Sequence, residues 1–140
     1  MKVLLAVDGS DFTQRTLDFV AARAQIFGPA TEFTALTAVA PVPNHAARFL
    51  QKSTLDTYYQ EEADKVLKPV KAFADAKGWN LIARHAVGQA GDVVAALATE
   101  GNFDLVVVGT HGHSHLGGVV VGSVTTRIIA GCKVPVLLVR

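Results

Sequence analysis

Five short apolar runs alternate with four longer segments whose apolar residues recur every three or four positions. The runs cover residues 3–7, 31–39, 80–87, 105–108 and 134–139. The first and fourth are continuously apolar, which is typical of strands that are buried on both faces. The longer segments show the spacing of amphipathic helices. The pattern therefore predicts strand and helix in strict alternation.

The helix boundaries follow from capping residues and helix breakers. The apolar stripe of the first helix runs from Leu17 to Phe27, with Ser10 or Asp11 as the cap and Gly28 as the stop. The next helix spans residues 55–77, and Pro69 is expected to kink it or to end its first half. In residues 44–54 the apolar residues follow neither helical nor strand spacing.

The last two helices begin at polar residues that can act as caps. Asp92 is the expected cap of a short helix over residues 92–99, and Ser123 is the expected cap of the final one. The resulting order, βαβαβαβαβ, predicts an α/β fold: a single doubly wound parallel sheet with helices on both faces. We expect residues 1–140 to form one domain, because no linker or repeat interrupts the pattern.

Ligands of open parallel sheets bind beyond the carboxyl ends of the strands, where the strand order reverses. Three such segments carry unusual chemistry: residues 8–10, 39–43 and 109–123. In the last of them, Gly109 and Gly112 allow positive φ angles and close approach of the backbone to a ligand. Gly122 and Ser123 open a helix whose free amides suit an anion, above all phosphate.

The same loop also has a plain structural interpretation. Its glycines then serve only tight turns, and Ser123 is only a helix cap. The Asp8-Gly9-Ser10 segment is likewise common turn chemistry, in which the Asp8 carboxylate binds nearby amides.

Composition and missing motifs narrow the range of functions. Half of the 140 residues are hydrophobic, 18% are charged and the net charge is +1, so no nucleic-acid partner is indicated. No apolar run reaches the length of a membrane span, and we expect a cytoplasmic protein.

Cys132 is the single cysteine, which excludes an intrachain disulfide, and we expect it to be a small buried hydrophobe. Neither the P-loop motif nor the dinucleotide fingerprint occurs.

The glycine spacing is similar to that of a known family. Gly109, Gly112, Gly122 and Ser123 fit the pattern G-x2-G-x9-G-[ST] without a gap. Together with the first strand and its Asp-containing turn, and with the last strand, this pattern resembles the nucleotide-binding members of the universal stress protein family. The resemblance covers essentially the whole chain.

The resemblance implies a sheet order of 3-2-1-4-5 and ATP, or AMP or ADP, bound between strands 1 and 4, with Mg²⁺. It implies a stress-response protein that pairs into homodimers through its last strand, from Val134 to Val139. By position, Asp8 would face the adenosine, Val39 would give backbone contacts to the adenine, and Val108, Gly109 and Thr110 would line the ribose. The phosphates would lie at Gly112, His113, Gly122, Ser123, Val124 and Thr125, and Ala6 and Val7 complete the predicted set.

One departure from the family concerns charge. Many ATP-binding relatives place Lys or Arg just after the second glycine of the pattern, whereas this chain has His113-Ser114-His115 and no Lys or Arg in residues 109–126. Neutral histidine offsets less phosphate charge than arginine does. We therefore expect weaker or pH-dependent affinity, or a greater reliance on Mg²⁺.

Binding is expected to dominate over catalysis, and no catalytic residue is predicted. Asp8 is the single carboxylate beside the expected crevice, so hydrolysis should be slow or absent, although His111, His113 or His115 could act as a base. The three histidines alternate, which leaves zinc or copper binding open beside a role as exposed loop residues. The remaining alternatives are a nucleotide-free dimeric interaction protein and a slow ATPase.

Overall fold

A computed structural model describes residues 1–112 and 121–140, which form one parallel sheet flanked by helices on both faces. The strands are β1 (Lys2–Ala6), β2 (Glu32–Val39), β3 (Asn80–Val87), β4 (Leu105–Gly109) and β5 (Val136–Val139). Their order is β3-β2-β1-β4-β5, and every neighbouring pair is parallel. The predicted fold class and strand order are confirmed.

The central strand β1 sets the point at which the strand order reverses. Its residue Leu4 pairs with Thr34 of β2 on one side and with Val106 of β4 on the other. The chain leaves β1 toward β2 and later returns to β4 on the opposite side, so the crevice of a doubly wound sheet opens between β1 and β4.

The helices are α1 (Asp11–Ala21), α2 (Asn44–Ala47), α3 (Lys52–Ala76), α4 (Ala90–Glu100) and α5 (Ser123–Gly131). Buried residues of α1 and α3, such as Leu17 and Leu67, join the core on one face of the sheet. Buried residues of α4 and α5, such as Val94 and Ile128, join the core on the other face. We call these the α1/α3 face and the α4/α5 face.

Several features of the helices differ from the prediction. Helix α1 ends at Ala21 instead of Phe27, although Phe27 still packs in the core, since a turn from Arg23 carries it there. The four-residue helix α2 forms in residues 44–54, where the apolar pattern predicted no element. Helix α3 continues through Pro69, so this proline does not end it. The buried stripe on either side of Pro69 compensates for the one hydrogen bond that proline removes.

Two predicted caps are also wrong. Gln89 caps α4 in place of Asp92, because its side-chain oxygen accepts a 2.7 Å hydrogen bond from the Gly91 amide. Asp92 instead pairs with Arg127 of α5 across 3.1 Å. Gly122, not Ser123, occupies the N-cap position of α5, and Ser123 is the first residue of that helix.

Cys132 is half-buried against the core of the α4/α5 face, which is less complete burial than the sequence predicts. Within the two described ranges, no helix is both long and apolar enough to cross a membrane.

Candidate functional site

A cavity of about 310 Å³ lies at the carboxyl ends of β1, β2 and β4, on the α4/α5 face. This is the place that the strand reversal predicts. Most of the predicted site residues line it: Ala6, Val7, Asp8, Val108, Gly109, Gly112, Gly122, Ser123, Val124 and Thr125. Residues up to 119 positions apart in the sequence thus line one cavity.

Several lining residues were not predicted, and they come mostly from elements that the motif does not include. Phe12 and Thr13 belong to the first turn of α1, Leu36 and Ala38 to β2, and Val94, with Ala90, to α4. Period-two alternation in β2 is the signal that could have identified Leu36 and Ala38. They share a face of the sheet with Ala6 of the neighbouring strand, since side chains two apart on a strand point the same way.

Val39 does not line the cavity, although the sequence placed it against the adenine. Its side chain lies on the opposite face, in the core of the α1/α3 face, and its carbonyl accepts a 3.0 Å hydrogen bond from Gly88. Ala38 is at the cavity instead. The Leu36 carbonyl accepts from Val7 of the β1 side, and backbone groups two residues apart point to the same neighbour, so those of Ala38 point over the end of β1.

Thr110 does not line the cavity either, although it was predicted at the ribose. It is 4% exposed, and its backbone fastens two elements together. Its N–H donates to the Val139 carbonyl of β5 at 2.8 Å, and its carbonyl accepts from the Gly122 N–H at 2.7 Å. Thr110 therefore holds the start of α5 beside the end of β4.

Asp8 combines the two interpretations offered by the sequence, because it forms the turn after β1 and also lines the cavity. Its Oδ1 accepts hydrogen bonds from the Ser10 N–H at 2.9 Å, the Ser10 hydroxyl at 2.6 Å and the Thr13 hydroxyl at 3.1 Å. The Thr13 oxygen in turn accepts from the Asp8 and Gly9 amides. Gly9 takes φ +77°, which few side chains tolerate. The carboxylate is consequently held in one orientation.

The other carboxylate oxygen of Asp8, Oδ2, lies against Gly112. A Cβ on Gly112 would collide with that oxygen, and a Cβ on Gly109 would come within 2.6 Å of the Phe12 Cβ. Neither glycine has a positive φ, so neither uses the conformational freedom that the sequence offers there. What these glycines provide is space for Phe12 beside Gly109 and for the Asp8 carboxylate beside Gly112.

The first turn of α5 faces the cavity with amides that the helix itself does not use. The N–H groups of Ser123, Val124 and Thr125 precede the first intrahelical bond, which Thr126 donates to Gly122. The Gly122 amide is already bonded to Thr110, and the Thr125 hydroxyl donates to the Gly109 carbonyl at 2.8 Å. Thr125 and Gly122 therefore contribute less hydrogen bonding to a ligand than the sequence predicts.

The histidines are only partly described. His113 and His115 lie outside the described residues. His111 lines the cavity, with its Nδ1 3.2 Å from the Thr110 hydroxyl and its ring 5.4 Å from the Phe12 ring. In residues 1–112 and 121–140, no group of three His, Cys, Asp or Glu side chains is arranged to hold a metal ion.

Comparison with known proteins assigns the chain to a family. The profile of the Universal stress protein family matches residues 1–140. This chain belongs to the universal stress protein family. Among its relatives is the Mycobacterium tuberculosis universal stress protein Rv1636, which is 32% identical over 143 residues, covering 99% of this chain and 94% of the relative.

Solved structures with the same fold include two that contain adenine nucleotides. A universal stress protein in complex with cAMP is 26% identical, with a TM-score of 0.73, and the match covers 100% of this chain and 97% of that one. A universal stress protein from Archaeoglobus fulgidus in complex with dAMP is 20% identical, with a TM-score of 0.71 and coverage of 100% and 98%. The nucleotides belong to those proteins.

The cavity of this universal stress protein has two chemically different ends. One end is apolar and is lined by Leu36, Ala38 and Val108 of the sheet and by Val94 of α4. The other end is polar and is lined by the Asp8 carboxylate and by the amides of the first turn of α5. An apolar floor with a few convergent polar groups is the usual composition of a small-molecule site, and its volume lies in the usual range.

Proposed function

We propose that this universal stress protein binds an adenine nucleotide in the cavity between β1 and β4. The expected ligand is ATP with Mg²⁺, and ADP and AMP are the alternatives. Residues 1–140 act as one cytoplasmic nucleotide-binding domain that serves the stress response as a regulatory module, with hydrolysis slow or absent. The observation that carries the proposal is the meeting of an apolar floor and the amino end of α5 in one cavity.

The adenine occupies the apolar end in this proposal. The small side chains of Ala6 and Ala38 leave a slot beside Leu36, which suits a flat aromatic ring. The backbone N–H and C=O of Ala38 point over the end of β1 and offer the adenine edge a donor and an acceptor. The cAMP and dAMP complexes of other family members support this choice, because those two ligands differ in the sugar and phosphate but share the base.

The phosphates occupy the opposite end, at the amides of Ser123, Val124 and Thr125. A helix amino terminus favours negative charge through its dipole and its unused N–H groups. α5 spans nine residues, and its first turn is held in place by the Gly122–Thr110 and Thr125–Gly109 hydrogen bonds. The anion site would therefore need little rearrangement when ligand binds.

Mg²⁺ would arrive with the nucleotide rather than occupy a site of its own. Mg²⁺ is commonly held by one or two carboxylates together with phosphate oxygens and water. Asp8 is the only carboxylate among the described residues that line the cavity, and its Oδ1 already accepts three hydrogen bonds. The Asp8 carboxylate is the group that would hold the metal. One constrained carboxylate is a poor basis for fast phosphoryl transfer, which supports slow hydrolysis at most.

The test is nucleotide binding by the full chain and by Gly122→Val. Mass spectrometry of extracts from freshly purified protein should find an adenine nucleotide. Calorimetry on stripped protein should give saturable binding of ATP, ADP or AMP, and a ligand at 100 times its Kd should add about 2.7 kcal/mol of stability. The valine would press on the Thr110 carbonyl, which lies 3.3 Å from a Cβ at this position, and should abolish binding. Absence of any adenine-nucleotide binding would overturn the proposal and favour the nucleotide-free interaction protein.

We also propose a homodimer that pairs through the last strand, from Val134 to Val139. β5 is an outer strand of the sheet, and its residues Val136, Leu137 and Leu138 are only half-buried. An apolar strand with an open edge is stabilised when a second strand covers it. Sedimentation equilibrium should give the mass of two chains. A monomer at all concentrations would contradict the dimer without touching the nucleotide site.

A further inference from the structure

The cation that is missing from the phosphate-binding segment is present on another element. Residues 109–126 contain no Lys or Arg. Arg15 lies on α1, one helical turn after Phe12, and its guanidinium carbon is 4.8 Å from the centre of the Phe12 ring. Its side chain thus stacks on a residue that lines the cavity.

Phe12 connects Arg15 to the cavity, because it packs against two residues that line it. It is 5% exposed, and it packs so closely on Gly109 that a Cβ there would come within 2.6 Å. Its ring also lies 5.4 Å from that of His111, another lining residue. The two ring distances together place the Arg15 guanidinium within about 10 Å of the His111 ring. That separation is about one Debye length at physiological salt, so the charge of Arg15 is only partly screened from phosphates bound near His111.

We propose that Arg15 is the side chain that neutralises the outer phosphates of the bound nucleotide and so determines how many phosphates this protein prefers. The proposal rests on the proposed function. Stacking on Phe12 restricts the guanidinium to one region, which lowers the entropy lost when it binds phosphate. The amides at the start of α5 hold the first phosphate, and Arg15 reaches those beyond it.

Two other arginines are less suited to this role. Arg127 follows the first turn of α5, but its Nε pairs with Asp92 at 3.1 Å and its side chain packs on Gly91 of α4. Arg23 stacks on Phe19 at 3.5 Å and donates to the Phe19 carbonyl, beyond the carboxyl end of α1. None of the ion pairs found within residues 1–112 and 121–140 includes Arg15.

The experiment compares Arg15→Gln with the matched control Arg23→Gln, which removes another ring-stacked arginine contributed by the α1 region. Calorimetry measures the Kd of ATP, ADP, AMP and adenosine for each protein at low and high salt. For Arg15→Gln we expect the Kd of ATP to rise about tenfold and that of ADP about threefold, with AMP and adenosine within twofold. High salt should shrink the ATP effect, because the interaction is between charges. Arg15→Lys should retain part of the ATP preference, and Arg23→Gln should change nothing.

Three results would overturn the role of Arg15. The first is an unchanged ATP affinity in Arg15→Gln. The second is an equal loss for all four ligands, which would mean that Arg15 acts only by packing on Phe12. The third is an equal effect of Arg23→Gln. Each leaves the proposed function intact, whereas failure of the unaltered protein to bind any of the four ligands would overturn both.

Discussion

The two faces of the sheet use the same strands but fill their space differently. On the α1/α3 face, Phe33 stacks on Trp79 with ring centres 4.6 Å apart, and Phe73 meets the same indole edge-on at 5.6 Å. On the α4/α5 face, the carboxyl ends of the strands carry Ala6 and Ala38, and the cavity lies there. Large rings fill the α1/α3 face near the amino ends of β2 and β3, and small side chains leave the carboxyl end of the α4/α5 face open.

Two alanines of β2 show that position determines what a small side chain does. Ala35 is fully buried in the core of the α1/α3 face. Ala38, three residues later, faces the cavity on the opposite side. The same residue type serves close packing in one place and ligand space in the other. Both faces therefore carry a packed core, and the carboxyl end of the α4/α5 face is in addition kept open at a cost in packing.

The largest effect on the open face is expected for Gly112→Asp. The new side chain would collide with the Asp8 carboxylate and put a second negative charge beside it, so we expect nucleotide affinity to fall more than about 100-fold while the fold survives. Calorimetry and circular dichroism measure the two quantities. Gly28→Asp is the control, because its nearest neighbour is a carbonyl oxygen 3.6 Å away and it adds the same charge elsewhere. Full affinity in Gly112→Asp would remove this segment from the site.

The next largest effect on binding is expected for Ala38→Leu. Its matched control is Ala35→Leu, which makes the same change on the opposite face of β2. The first fills the cavity, so the Kd should rise about 30-fold with stability unchanged or slightly increased, while the second overpacks a closed core and should cost about 1–3 kcal/mol. Denaturant unfolding and ligand titration of both variants measure the contrast. If Ala35→Leu weakened binding as much as Ala38→Leu, the division between the faces would be wrong.

A smaller effect is expected for Asp8→Ala. The substitution removes the acceptor of three hydrogen bonds in the turn after β1, so stability should fall by about 1–2 kcal/mol and the Kd should rise about tenfold. Asp8→Asn keeps an oxygen for the turn but removes the charge, and it should recover the stability more than the Mg²⁺-dependent affinity. An unaltered Kd in Asp8→Ala would exclude this carboxylate from ligand contact.

The succession of strands and helices was predictable because the apolar pattern of each element is local, whereas the order of the strands in the sheet was expected from the family resemblance. The run at residues 80–87 coincides with β3, and the other strands lie within two residues of their predicted ends. The glycine spacing identified the segment that meets the amino end of α5. Both signals depend on spacing along the chain, which a single sequence shows directly.

What could not be predicted depends on contacts between distant elements. Ala38 lines the cavity and Val39 does not, because neighbouring residues of a strand point to opposite faces of the sheet. The backbone of Thr110 bonds to Val139 and to Gly122, which are 29 and 12 positions away in the sequence, so its structural role depends on contacts that no local pattern shows. Phe12 joined the cavity because Gly109 leaves room for it, and no pattern within α1 reveals that pairing.

The smallest effect on binding is expected on the closed face, for Trp79→Phe. The smaller ring leaves a gap between Phe33 and Phe73, so stability should fall by about 1–2 kcal/mol, while the Kd for nucleotide should stay within twofold. Tyr58→Phe is the control, since Tyr58 is 43% exposed and should change neither quantity. A Kd that rises in step with the loss of stability in Trp79→Phe would mean that the rings on one face hold the cavity open on the other. The two faces would then be a single mechanical unit, and the alanines alone would no longer explain the open space.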